Sequence, residues 1–320
     1  MSNPDATSGA NPLGRGFRSL ASALIFVLAA LGIWILAALP AEPPPSPEGT
    51  ALFRKAEDIG VLLLVAAALI AGLPPLDRLR GKVRPGALDV VIILPAAILA
   101  VAFVADRALA TKTAMLGGER HFWLDDDVMI SMRYALNFAS GRGLVWNAGE
   151  TPVEGYSNFL WTIVLAIPHA AHRWVGFPLR LTSAFVIAFN ALLSIGLLIV
   201  MDRAGRRLGL RPSARALVLL FIAANEWLVH WTASGSEAIA LALLLVVAAE
   251  RLLAATRLHP ASWGVGLALG GAALLRTDGA IHLFAFAPAI VFLRLKGRAR
   301  AAPLVVAALA PLLAPHRWRR

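Results

Sequence analysis

Three consecutive carboxylates, Asp125, Asp126 and Asp127, stand directly before an apolar-striped run, Val128 to Phe138. Adjacent acids at a helix start can divide labour. Their repulsion raises the proton affinity of one, which makes it a base for a hydroxyl, while the other orients the acceptor or a cation. On a helix, Asp126, Ile130, Arg133 and Asn137 share one stripe, and Asp127, Ser131, Tyr134 and Phe138 the next. Arg133 and Arg276 are candidate cations for a negatively charged ligand, with Lys112, Arg120 and Arg142 as further options. Glu154, Glu237 and Asp278 can bind sugar hydroxyls or pair with arginine. Trp123, Tyr134, Trp146, Tyr156 and Trp161 suit a membrane interface or the face of a sugar ring. Taken alone, the acidic triplet reads more simply as favourable charge at a helix N-terminus, about 0.3–1 kcal/mol per group.

Other chemistry-bearing residues are weaker candidates. His121 is a second choice of base. Glu226 lies inside an apolar run, where an ionisable group is costly and suggests function. His230 nearby reads as a structural hydrogen-bonding residue. His169 and His172 are spaced for one helix face, but no third metal ligand accompanies them. Gly266 and Gly270 form a GxxxG pattern suited to close helix packing. The sequence contains no cysteine, so thiolate nucleophiles, disulfides and Cys-ligated metals are excluded.

The elements that must carry these residues are membrane helices. Of 320 residues, 58% are hydrophobic and 15% charged, against roughly 45–50% and about 25% in a soluble domain. Apolar runs at 20–39, 59–75, 88–106, 178–201, 215–231, 237–254, 261–275, 279–295 and 301–315 are candidate spans, with 158–172 a tenth. The expected fold is all-α: a polytopic transmembrane bundle of nine or ten spans with one long outer loop bearing an amphipathic helix. The net charge of +11 sits in short loops between apolar runs, which fixes membrane orientation rather than nucleic-acid binding. The basic loops are 76–87, 202–215, the turn flanked by Arg251 and Arg257, and 294–300. With these loops cytoplasmic, the tail 1–19 is cytoplasmic and disordered. The loop 107–157, the segment Thr232–Glu237 and the segment Thr277–Gly279 then lie outside. This assignment makes 158–172 a half-embedded or interfacial helix; the alternative is that 158–172 spans and one basic loop breaks the rule.

The ordered run Asp126-Asp127-Val128-Met129-Ile130-Ser131, Arg133-Tyr134, Gly143-Leu144-Val145-Trp146-Asn147, Glu154-Gly155-Tyr156-Ser157-Asn158 and Trp161 resembles the first outer loop of integral-membrane C-type (GT-C) glycosyltransferases. The nearest branch contains terminal arabinofuranosyltransferases and related bacterial sugar transferases. Trp231-Thr232-Ala233-Ser234-Gly235-Ser236-Glu237 and Leu275-Arg276-Thr277-Asp278-Gly279 resemble two later segments of that family. The resemblance covers roughly 88–320. It leaves 20–87 as an additional two-helix hairpin. The sequence departs from the pattern at Met129, Ser236 and Thr277 and carries the extra acid Asp125. Family members usually continue past the last span, so the core 88–320 is expected to be incomplete at its C-terminus.

The resemblance implies transfer of a sugar from a polyprenyl-phosphate donor to an outer-face glycan or lipid acceptor, with inversion, in a bacterial plasma membrane. Asp126 and Asp127 are the implied catalytic pair. Arg133, Tyr134, Asn147, Glu154, Tyr156, Asn158, Glu237, Arg276 and Asp278 are the implied substrate-binding set. No cofactor is required; Mg²⁺ or Mn²⁺ at oxygen ligands is optional. Membrane lipid is a partner and nucleic acid is not. The other classes left open are a transporter or lipid flippase and an inactive truncated transferase.

Overall fold

The computed structural model describes residues 82–150, 155–255, 263–276 and 281–297, with Leu76, Asp77, Leu79 and Asp278. The tail 1–19, the candidate spans 20–39, 59–75 and 301–315, and Glu154, Thr277 and Gly279 lie outside the described residues. Contacts divide the chain into two units between Leu88 and Asp89, and nearly all described residues belong to the second.

The described elements run α1 (Pro85–Thr111), β1 (Thr113–Leu116), β2 (Glu119–Phe122), α2 (Asp126–Ala139), α3 (Phe159–Val175), a 3₁₀ turn (Leu179–Leu181), α4 (Thr182–Arg207), α5 (Pro212–Ala223), α6 (Glu226–Ser234), α7 (Ala238–Leu253), α8 (Trp263–Leu275) and α9 (Ile281–Leu295). The fold is helical, as the apolar runs require. Two helices among the described residues, Gly86–Thr111 and Leu179–Arg207, are long and apolar enough to cross a bilayer. The bent pair α5–α6 makes a third when counted as one span.

Ion pairs define two ends. Asp89, at the start of α1, binds Arg215 and Arg206, at the start of α5 and the end of α4. Arg107, near the other end of α1, reaches His230 on α6. At about 1.5 Å per residue these two α1 positions lie roughly 27 Å apart. Helix α7 makes the same journey in reverse. Glu237, at its N-cap, bonds Arg276, whereas Glu250, near its end, bonds Arg207. All three segments of the family resemblance therefore gather at one end, and Arg203, Arg206, Arg207, Arg215 and Arg251 gather at the other.

Helix α3 does not make this crossing. Its first turns are held at the motif end, where Trp161 Nε1 donates to Gly235 O at 3.1 Å. Its other end leads through Phe177, packed on Phe185 of α4, to Arg180, which pairs with Glu119 of the hairpin. Both ends stay by the beginning of α4, the disposition expected of an interfacial helix. Helix α2 packs along α3 through Val128, Ser131, Met132 and Ala135. These residues of its apolar stripe are thus covered by protein.

Two features depart from expectation. The outer loop contains an antiparallel hairpin, Thr113↔Phe122 to Leu116↔Glu119. Gly117 and Gly118, both at positive φ (59° and 82°), supply the two-residue turn that matches strand twist. The run 215–231 is not one straight helix. It bends by 51° where Asn225 caps α6 by accepting from Leu228 N at 3.0 Å. Glu226 is therefore an exposed first-turn residue of a new helix, favourable to its dipole, and not a charge buried in mid-span.

The motif end is closed by Gly235, at φ 81°. A Cβ there would stand 2.7 Å from Leu124 Cδ2. Leu124 is buried at 2% exposure and belongs to the same core as Val128, Trp161 and Ala233. Gly235→Ala is expected to destabilise the protein by about 1–3 kcal/mol, through left-handed strain and overpacking together. Thermal unfolding in detergent checks this. Adding Leu124→Ala to that background relieves the overpacking but not the left-handed strain, so the double variant should lose less stability than the sum of the two single variants.

Candidate functional site

The three acids have different fates. Asp125 is the N-cap of α2. Its carboxylate pairs with Lys112 and lies 3.9 Å from His230 Nε2. Its N–H donates to Ser234 O at 3.2 Å, tying α2 to the end of α6. Asp126 and Asp127 are exposed on the first turn, and among the described residues neither carboxylate has a hydrogen-bonding or ionic partner. Asp125 is thus committed to structure, and the two acids of the resemblance are left accessible. Behind them Arg107 Nη2 lies 3.4 Å from His230 Nδ1, and Arg107 Nε is buried without a partner.

Beside this turn runs a buried polar chain. Ser131 Oγ donates to Asn158 Oδ1 at 2.9 Å, and Thr162 Oγ1 donates to the same oxygen at 3.1 Å. Asn158 Nδ2 donates to Glu237 Oε2 at 3.2 Å. Arg276 Nη1 donates to Glu237 Oε1 at 3.1 Å. Arg276 also grips Asp278, with Nε to Oδ1 at 2.9 Å and Nη2 to Oδ2 at 3.2 Å. The chain thus joins α2, the start of α3, the start of α7 and the end of α8. Glu237 and Asp278 both pair with arginine, the simpler of their two readings.

The intervening turn, Thr232 to Glu237, is held from below. Asn190, fully buried on α4, donates from Nδ2 to Ser236 O at 2.9 Å. Ser194 and Thr232 exchange a hydroxyl hydrogen bond at 3.0 Å. Ser236 Oγ accepts from Ala238 N at 3.2 Å. The serine that precedes the N-cap thus holds the first backbone N–H of α7.

The aromatic loop is organised by Tyr134, which is 1% exposed. Its ring meets Tyr156 at 4.8 Å and Trp146 at 5.7 Å. Burial pushes its hydroxyl above the ordinary tyrosine range, while a hydrogen bond with the Gly155 backbone opposes this. A Cβ on Gly155 would sit 2.5 Å from that hydroxyl, which explains glycine before Tyr156. Asn137 Nδ2 holds Val145 O at 2.8 Å and Trp146 O at 2.9 Å, and Arg133 Nε donates to Trp146 O at 3.1 Å.

Of the sequence candidates, the structure therefore brings Asn158, Glu237, Arg276 and Asp278 into one chain near Asp126 and Asp127. Arg133, Tyr134 and Tyr156 shape the adjoining loop. Asn147 bonds Glu150 within that loop. Trp161 is a 1%-exposed core residue, not an interface ring. His169 is buried with neither ring nitrogen partnered among the described residues, and His172 Nδ1 meets Phe177 O at 2.7 Å. Among the described residues no three His, Cys, Asp or Glu side chains gather as metal ligands.

Sequence reasoning missed Ser131, Thr162, Asn190, Asp202 and Arg107 as polar residues with structural consequences. Asn190 carried a signal: a lone amide within the apolar run 178–201. Asp202 and Arg215 are a second omission. Arg215, taken as an orienting loop charge, is buried and forked onto Asp202 at 2.6–2.8 Å. Gly205 makes room, since a Cβ there would lie 3.1 Å from Arg215 Cγ.

Part of the chain is similar to a glycosyltransferase. Over 90 residues it is 32% identical to the terminal β-(1→2)-arabinofuranosyltransferase of Mycobacterium tuberculosis. The match covers 28% of this chain and 14% of that protein. No family model and no solved structure matches. The similarity supports a transferase at the coarse level, and the apolar helices accord with a membrane protein.

The Arg276–Asp278 pair generates a pH prediction. Hydrogen bonding from Arg276 holds the Asp278 carboxyl below the usual carboxylate range, and Asp278 in turn raises the affinity of Arg276 for its proton. A lowered folded-state value contributes stability above the unfolded value, about 3.9, and loses it as pH falls through the folded one. Arg276→Gln should lower the melting temperature at pH 7, and the gap from the parent should narrow below about pH 4. The effect of Asp278 is small because that side chain is 55% exposed. A gap that stays constant across the titration would show the pair to be energetically silent.

Proposed function

We propose that the chain belongs to a membrane glycosyltransferase that moves a sugar from a polyprenyl-phosphate donor to a glycan or lipid acceptor. The observation that carries this reading is the convergence of three distant segments. Two carboxylates without a partner among the described residues, Asp126 and Asp127, stand beside the Asn158–Glu237–Arg276 chain at one end of the bundle. The basic residues at the opposite end support placing the site on the extracytoplasmic face of a bacterial plasma membrane. The partial similarity to an arabinofuranosyltransferase supports sugar transfer and makes a pentosyl donor the first to test.

In the proposed step Asp126 accepts the proton of the acceptor hydroxyl. The acceptor oxygen attacks the anomeric carbon from the face opposite the phosphate. The bond from that carbon to the phosphate oxygen breaks, its electron pair leaves with polyprenyl phosphate, and the configuration inverts. Asp127 orients the acceptor or would hold a divalent cation, which would supply positive charge to the leaving phosphate. Arg276 and Arg133 are the cations proposed for the phosphate, and Tyr156 and Asn147 proposed contacts for the sugar or acceptor.

The test is transfer from a radiolabelled polyprenyl-phosphate pentose in nanodiscs carrying the complete protein. Asp126→Asn is expected to lower turnover about 10²–10⁴-fold, the usual worth of a general base, without altering melting temperature. Asp125→Asn should instead lower melting temperature, because it releases Lys112. Full turnover by the Asp126 variant would refute the assignment of the base. A solute moved across vesicles with no covalent product would replace the transferase reading with a transporter.

A further inference from the structure

At the end of the bundle away from the acids, a pocket of about 490 Å³ opens between α4 and α7. Its lining is Arg203, Arg206, Arg207, Glu250 and Arg251, four guanidiniums against one carboxylate. The acids behind it offset part of that charge and also position the guanidiniums. Glu250 is 4% exposed and ion-paired with Arg207 and Arg251. Arg206 is tied to Asp89 and to Asp202 at 3.5 Å. Arg203 is exposed and has no acidic partner among the described residues. The side chains of Arg206, Arg207 and Arg251 remain 40%, 42% and 57% exposed. A basic surface that only obeys membrane orientation needs no buried carboxylates to hold its arginines. Here two helices present guanidiniums already fixed from behind, so less side-chain entropy is lost when an anion arrives.

We propose that this pocket binds a phosphate group. Planar guanidiniums match phosphate oxygens two at a time, and an excess of positive charge favours a group with more than one negative charge. The volume exceeds that of an inorganic ion and accommodates a phosphate bearing a polar substituent. Two sources share this chemistry: the headgroup of an anionic phospholipid and a soluble phosphate compound. The site is separate from Asp126, and its occupancy does not depend on the transferase reading.

Two measurements on the complete chain distinguish the sources. In nanodiscs of neutral phosphatidylcholine, calorimetric titration with pyrophosphate reads soluble binding. Native mass spectrometry after equilibration with phosphatidylglycerol vesicles counts retained anionic lipid. Arg203→Gln and Arg251→Gln should each weaken whichever ligand binds by about tenfold, the worth of one charge-assisted hydrogen bond. Arg211→Gln removes the same charge from an exposed residue outside the lining and should change nothing. Saturable pyrophosphate binding assigns a soluble ligand, and retained phosphatidylglycerol without it assigns a lipid headgroup. Absence of both, or equal weakening by Arg203→Gln and Arg211→Gln, overturns the pocket. Arg203 makes no side-chain hydrogen bond or ion pair among the described residues, so an unchanged melting temperature is expected for that variant.

Discussion

Glu237 is a carboxylate 8% exposed, at the start of a helix whose mid-section is apolar. Left alone it would lose several kcal/mol of hydration. Asn158 and Arg276 meet both of its oxygens, and that requirement draws the start of α3 and the end of α8 to the start of α7. Asn158 is then fully engaged, with its carbonyl oxygen taken by Ser131 and Thr162. This brings in α2, and with it the acidic turn. One buried charge thus accounts for the meeting of segments more than a hundred residues apart. Partly satisfied, such a chain would be worse than an apolar contact.

The other end of the bundle uses the same physics with different composition. Asp202 is fully buried at its side chain and is answered by the fork of Arg215. Asp89 bridges Arg215 and Arg206. These pairs fix the ends of α1, α4 and α5 against one another, while apolar packing of α7 on α8 fills the middle with small residues. Gly271 admits Leu244, where a Cβ would sit 3.1 Å from Leu244 Cδ1. Each end is therefore a polar clamp. One leaves carboxylates facing outward and the other leaves guanidiniums.

Much of the site was legible in order and little in geometry. The run from Asp126 to Asn158 and the segments around Glu237 and Arg276 were recognisable as three pieces. Which acid of the triplet is structural was not, because Asp125, Asp126 and Asp127 have the same local chemistry. Only Lys112 and Ser234, distant in sequence on one side or the other, separate them. Trp161 looked like an interface ring because its neighbours are aromatic. It is core because Gly235, on another helix, offers its carbonyl to the indole N–H. The Gly117-Gly118 turn was readable and was overshadowed by the helical pattern on both sides.

Composition, apolar run length and the placement of basic residues determined by themselves that this is a helical membrane-type chain with motifs at one end, because solvent preference and helix length are properties of local sequence. Tertiary structure alone decided that Asn190 braces the turn before α7 and that Trp161 is a core residue. It alone decided that Glu237 needs Arg276. Those outcomes depend on which polar atoms find partners across the fold, and no window of sequence contains both partners.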